Sequence, residues 1–237
     1  MDYFVFNGKG SDNGYLKLKI DKIEDTVVEN SNTIEVLVRL YKVNYSGSIL
    51  EITEQDLYDI TSWLLSSSKD YRPFYINGYV YYATFSKAKF ESEEEWLSHV
   101  DEGYITLKLK MVKNKFSPIL VVENTILTTK TFEIKNSGIK ILKPSLYIDL
   151  WDNTTNVTIK NTTTNATINF TNLNKGEQLR INNRGFIESL VDENRTISYT
   201  GILISLGLGN NNIQITSNGK VKVSIQWQNV YDLGRWF

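Results

Sequence analysis

The pair Asn77-Gly78 stands between two aromatic runs, Phe74-Tyr75-Ile76 and Tyr79–Phe85. Both central residues of a two-residue hairpin turn need positive φ, and Asn-Gly meets that need with little strain. The dipeptide therefore predicts an antiparallel hairpin at this point. Directly upstream lies a helical period: Leu57, Ile60 and Leu64 recur at i, i+3 and i+7, and Trp63 widens the stripe. Thr53 predicts the N-cap, its hydroxyl accepting from a first-turn amide, while Glu54 and Asp56 place negative charge at the positive helix end. The spacing predicts a helix over about 53–66 that stops at the serine run Ser66–Ser68. Pro73 then pushes Arg72 into an extended conformation. One amphipathic helix feeding a hairpin predicts a sheet with one face under that helix.

The rest of the first half alternates with period two. Tyr3–Phe6 reads as a short strand, and Tyr15–Ile20 alternates apolar with basic residues. Thr33–Tyr41 sets Ile34, Val36, Val38 and Leu40 on one face and Glu35, Leu37, Arg39 and Tyr41 on the other. Gly103–Val112 sets Ile105, Leu107, Leu109 and Met111 opposite Lys108 and Lys110. Ser92–Leu97 reads as a second, short helix with a capping box from Ser92 to Glu95. Tyr75, Tyr79, Tyr81 and Tyr82 fall within eight residues, more than one core readily takes. Alternation puts Tyr79 and Tyr81 on one face and Tyr82 on the other, and tyrosine is favoured at interfaces.

After Pro118 helical periodicity disappears. From Thr131 onward short strands are separated by Asn, Gly and Asp turns, the pattern of a β-sandwich or jelly roll. The expected fold class is mainly β with a small α+β component. Residues 1–125 form an antiparallel sheet with one main helix and residues 126–237 a sandwich, with the boundary near 118–130.

Composition narrows the function classes. A net charge of −1 gives no general electrostatic reason to bind nucleic acid or an anionic membrane. No cysteine is present, which excludes disulfides and thiolate metal sites. The opening MDYFVFNGKG does not read as a secretory signal, and no stretch reaches the ~20 apolar residues of a membrane helix. Asn153, Asn156, Asn161, Asn165, Asn169 and Asn194 each head an Asn-x-Thr triplet. Without a signal they read as turn asparagines and solvent-face threonines rather than glycosylation acceptors. His99 is the single histidine, so neither a zinc site nor a catalytic triad is expected. Gly201–Gly209 is glycine-spaced but lacks the lysine and following helix of a phosphate loop. Glu93-Glu94-Glu95 reads as a solvated helix start, not as carboxyls facing each other across the roughly 5–9.5 Å of a glycosidase cleft. Trp151 and Trp227 are the candidate sugar-stacking residues of an alternative reading, a carbohydrate-binding module for host cell-wall glycan.

The order of these parts resembles the distal tail (Dit) proteins of long-tailed bacteriophages, the siphophages. In the first half the resemblance lies in Phe6-Asn7-Gly8 with Asn13-Gly14-Tyr15-Leu16, the helix end Trp63-Leu64-Leu65, and the step Lys69-Asp70-Tyr71-Arg72. The hairpin Tyr79–Phe85, the strand Gly103–Met111 and the exit Phe116-Ser117-Pro118 extend it. In the second half it lies in Asn136-Ser137-Gly138 leading to Lys143–Ile148, in Asn174–Ile181, in Leu206–Ile213 and in the strand Val221–Trp227. Two departures stand out. Ile20–Thr33 is short and acidic where the family often carries a longer segment with a Gly-Arg-Asp-Gly-like turn. The second half also has no large insertion of the kind that carries sugar-binding modules in some relatives.

The resemblance implies a structural virion protein of the tail tip or baseplate, with no enzymatic activity and no cofactor. It implies a homo-hexamer ringed through the first domain, with one face on the tail tube protein and the other on the tail-associated hub protein. It further implies a galectin-like second domain where receptor-binding or side-fibre proteins dock for host attachment. Assembly would occur in the bacterial cytoplasm, without membrane insertion or direct nucleic-acid binding. Tyr79, Tyr81, Tyr82, Leu37, Arg39 and Tyr41 are the candidate subunit-interface residues.

Overall fold

The computed structural model of the chain describes residues 2–13, 16–23, 28–30, 32–65, 70–87 and 99–232. The expected second helix Ser92–Leu97, with its Ser92–Glu95 box and Trp96, lies outside the described residues, as do Ser66–Lys69, Gly14-Tyr15 and parts of Ile20–Thr33. The chain divides into two compact units, one made of Met1–Phe116 with Asp232–Phe237 and the other of Ser117–Tyr231. The division after Phe116 lies ahead of the boundary near 118–130, set at 125/126, that the loss of helical periodicity predicts. The reason is local: Leu120–Ile126 is a strand paired along its whole length with Val221–Trp227 of the second unit.

The first unit runs β1 (Val5–Phe6), β2 (Lys9–Gly10), β3 (Asp12–Asn13), β4 (Leu16–Lys22), β5 (Val28–Glu29), β6 (Thr33–Lys42), α1 (Glu54–Leu64), β7 (Arg72–Ile76), β8 (Tyr79–Lys87), β9 (Tyr104–Val112) and β10 (Asn114–Phe116). The sheet order is β2-β1-β7-β8-β9-β6-β4-β3, with β5 beside β6 and β10 beside β8. Asn77 and Gly78 take φ of 51° and 76°, as the β7–β8 turn demands. Register aligns Phe74 with Tyr81, Phe85 with Leu109, Val38 with Leu107 and Ile20 with Leu40. The apolar side of every central strand thus meets in one core, which Ile60 and Leu64 of α1 cover.

Thr53 caps α1, and the cap is reciprocal: its hydroxyl accepts from the Asp56 amide while Asp56 accepts from the Thr53 amide at 2.8 Å. Asp56 is buried and also takes the Lys42 ammonium of β6 at 2.5 Å. Burial alone would push this carboxyl up, but the bonds from Lys42 and Thr53 outweigh it and hold it below the ordinary aspartate value. A lowered folded-state value gives stability that is fully present above the ordinary value, about 4, and lost as pH falls through the folded value. Thermal melts of the wild-type chain between about pH 6 and pH 2 should show this acid loss, and an Asp56→Asn chain should show a shallower one.

The second unit contains β11 (Leu120–Ile126), β12 (Thr129–Asn136), β13 (Ser145–Leu150), β14 (Val157–Asn161), β15 (Ala166–Thr171), β16 (Gln178–Ile181), β17 (Ile187–Ser189), β18 (Ser198–Gly201), β19 (Gly209–Ser217) and β20 (Val221–Trp227); β21 (Val230–Asp232) closes the described chain. Two five-stranded sheets, β11-β20-β13-β16-β17 and β12-β19-β14-β15-β18, share one core and make a β-sandwich. Inward residues such as Ile148, Leu179 and Val223 from one sheet meet Ile159, Phe170 and Ile215 from the other.

Buried asparagines hold the loop before β19. Asn211 donates to the Gly207 and Gly209 carbonyls at 2.9 and 3.0 Å and accepts from the Gly207 amide at 2.8 Å and the Asn161 amide at 2.9 Å. Asn161 also donates to the Ser205 carbonyl, and Asn136 donates to that of Leu206. The glycine-spaced stretch is therefore a loop organised by amide side chains. Asn161 is fully buried, which removes it as a glycan acceptor in the folded chain. Asn211→Ala leaves these partners unmet inside the protein and should cost about 2–3 kcal/mol, read from denaturant unfolding of the second unit.

Candidate functional site

The side of the first sheet turned away from α1 is where charged side chains gather, together with Tyr41 and Tyr104. Alternation sends Glu35, Leu37, Arg39 and Tyr41 of β6 to this face. The register sets Leu37 against Lys108, Arg39 against Thr106, and Tyr41 against Tyr104 of β9. From β4, Lys19 lies opposite Tyr41 and Asp21 opposite Arg39. From β8, Thr84 and Ser86 lie opposite Lys110 and Lys108.

Two groups form on this face. Glu35 accepts ion pairs from Lys110 at 2.8 Å and Lys108 at 3.3 Å. The bond from Lys110, helped by Lys108 and opposed by partial burial, holds the Glu35 carboxyl below its ordinary value, and Lys110 is raised in return. Beside them, Tyr104 anchors a stack of rings and cations. Its centre lies 5.2 Å from that of Tyr41 and 4.7 Å from that of His99, with the Arg39 guanidinium 5.0 Å away. A hydrogen bond with Tyr41 keeps Arg39 firmly charged. Lys19 lies 4.9 Å from the Tyr3 ring. Cation–π contacts of this kind order long side chains that would otherwise be mobile, at about 0.5–1 kcal/mol each where exposed.

The candidate interface residues separate into groups. Leu37, Arg39 and Tyr41 sit together on this outer face, Arg39 exposed and the other two half-buried. Tyr82 is half-buried, edge-on to Phe116 at 5.4 Å. Tyr79 packs partly against the core, with Lys115 at 4.3 Å from its ring. Tyr81 is corrected by the structure. It is buried at 4% exposure among Phe74, Ala83 and Phe85, on the face that α1 covers, so it is a core residue and presents nothing to a neighbour.

The two tryptophans of the sugar-binding alternative also part company. Trp151 is exposed on the turn after β13, its indole N–H donating to Asp149 at 2.7 Å and Lys220 lying 4.5 Å from its ring. Trp227 is 9% exposed at the end of β20, within the sandwich core. It is therefore not a stacking platform, because the ring is buried in the core.

Sequence reasoning missed the outward side of α1. Tyr58 stands 67% exposed there, beside Glu54 and Gln55. The available signal was an aromatic residue out of phase with the Leu57-Ile60-Leu64 stripe. Among the described residues no three His, Asp or Glu side chains converge as metal ligands, and no helix is long and apolar enough to cross a membrane. His99 is taken up by its stack on Tyr104, with Nδ1 3.3 Å from Glu102. Paired charges and stacked rings on a broad sheet face are suited to recognising a protein surface.

No protein-family profile matches the chain, and no curated protein matches it. Among solved structures it is similar to the crystal structure of SPP1 Dit (gp 19.1), described as a paradigm of the hub adsorption apparatus in phages that infect Gram-positive bacteria. The TM-score is 0.55 at 11% identity, and the match covers 96% of this chain and 99% of the other. The likeness therefore extends over both units and shows a Dit-like fold.

Proposed function

We propose that the chain is a structural protein of a phage tail tip, a non-enzymatic virion component that forms a hexameric ring. The observation that carries the reading is the fold shared with SPP1 Dit across 96% of this chain and 99% of that one. A likeness confined to the sandwich would fit many unrelated roles, because sandwiches are common scaffolds. A match to both units, in order, is far more restrictive. In this reading the first unit forms the ring between the tail tube protein and the tail-associated hub protein. The second, galectin-like unit serves as the docking platform for receptor-binding or side-fibre proteins. Leu37, Arg39, Tyr41 and Tyr82 are the retained interface residues, with Tyr79 at the margin.

Co-expression with the tube and hub proteins of the same phage tests the reading. Both should be retained with a tagged copy of this chain through salt washes. Loss of both under conditions where the chain is folded would remove the tail-tip role. The carbohydrate-binding alternative now rests on Trp151 alone.

A further inference from the structure

Two surfaces of the first unit carry opposite charge. Helix α1 has the sequence EQDLYDITSWL, with no lysine or arginine. Asp56 is buried against Lys42, so it adds nothing to the helix surface. What α1 and the residues before it expose to water is Glu51, Thr53, Glu54, Gln55, Tyr58 and Ser62, with the Lys9 ammonium over the Trp63 ring near the C-terminal end. Tyr58 is a large ring held in solvent by a helix whose other side already packs on the sheet. Tyr58 lies one helical turn after Glu54 and is exposed, and tyrosine is enriched among the residues that anchor protein interfaces.

The second patch is the outer sheet face. It offers Lys19, Arg39, Lys108 and Lys110 against Asp21 and Glu35, with Leu37 and the Tyr41–Tyr104 pair between them. The N-terminal half of α1 is thus acidic around an exposed ring, and the outer sheet face carries an excess of cations around an apolar centre.

We propose that the acidic face of α1, centred on Tyr58, docks on the outer sheet face of a second copy of this chain, centred on Leu37 and Tyr41. The inference rests on the ring reading and names the two faces that close the ring. A head-to-tail contact needs two different, complementary patches on one subunit, and the outward side of α1 and the outer sheet face are two such patches. A twofold contact through either face would set acid against acid or cation against cation, which is strongly disfavoured.

The test is a charge swap in the full chain. One variant carries Glu51→Lys with Glu54→Lys, and the other carries Lys19→Glu with Arg39→Glu. All four side chains are at least partly in water, and unfolding of each variant is measured alongside. By light scattering, each variant alone should need a concentration at least about tenfold higher than wild type to assemble, because like charges now face each other. An equimolar mixture should assemble again, with the two variants alternating round the ring, since each reversed helix then meets a reversed sheet face. That recovery also shows that both variants are folded. If wild type and both variants assemble alike, or if folded variants fail alone and in the mixture, these two faces are not the contact, although the ring stands. If wild type itself never assembles, the ring reading falls and takes this contact with it.

Discussion

Replacing Trp227 with alanine should destabilise the second unit by about 3–5 kcal/mol, the range for removing a large aromatic side chain from a packed core. Trp227 ends β20, pairs with Leu120 and is one of the large side chains of the sandwich core. Trp151→Ala should shift stability by no more than about 0.5 kcal/mol, because that ring is exposed at the surface beside Lys220 and Asp149. Trp227→Phe sharpens the comparison. The Trp227 indole N–H is buried with no hydrogen-bond acceptor among the described residues. Phenylalanine keeps most of the apolar volume and removes that unmet donor, so it should cost far less than alanine. Denaturant unfolding of the three variants checks the order. A Trp227→Ala chain as stable as wild type would return Trp227 to the list of exposed binding residues.

Asp56→Ala should be similarly costly in the first unit, at about 3–5 kcal/mol, the usual penalty for removing one partner of a buried ion pair. Two losses combine here. The cap of α1 loses the acceptor for the Thr53 amide and hydroxyl. The Lys42 ammonium, whose side chain is only 15% exposed, loses its carboxylate. Adding Lys42→Met to the Asp56→Ala chain should recover part of the loss, since it removes the stranded charge, and the double-mutant comparison isolates the pair. Calorimetry can read the effect on the first unit's transition while the second unit's transition stays in place. Because α1 covers the core under one proposed contact face, the Asp56→Ala chain should also assemble poorly.

Where an element is set by neighbours in sequence, it was legible. Asn77-Gly78 announced the hairpin, Thr53 the helix start, and the Ile34-Val36-Val38-Leu40 alternation the inward face of β6; all three hold. What was not legible depends on residues far apart in the chain. Thr53 and Asp56 share the cap, but Lys42 completes the site from a strand that reading Thr53–Leu64 alone does not bring in. Leu120–Ile126 alternates only weakly, and it becomes a strand through pairing with β20 about a hundred residues later. Tyr81 and Trp227 show a different limit. Period two correctly placed Tyr79 and Tyr81 on one face, but a strand pattern does not say whether that face meets its own core or a neighbour. Their burial at 4% and 9% supplies the answer. The buried Asn161 reads as an ordinary turn residue, and nothing in the sequence marks Asn136 and Asn211 as buried, because an amide that satisfies a loop from within looks the same in sequence as one facing water.

The ring itself is tested most directly by mass in solution, from light scattering on a size-exclusion column over a range of concentrations, alone and with the tail tube protein. The account predicts a species near six times the 27.3 kDa chain, with the share of that species rising with concentration and falling with added salt. A mass that stays at one chain at every concentration, with and without the tube protein, would contradict it.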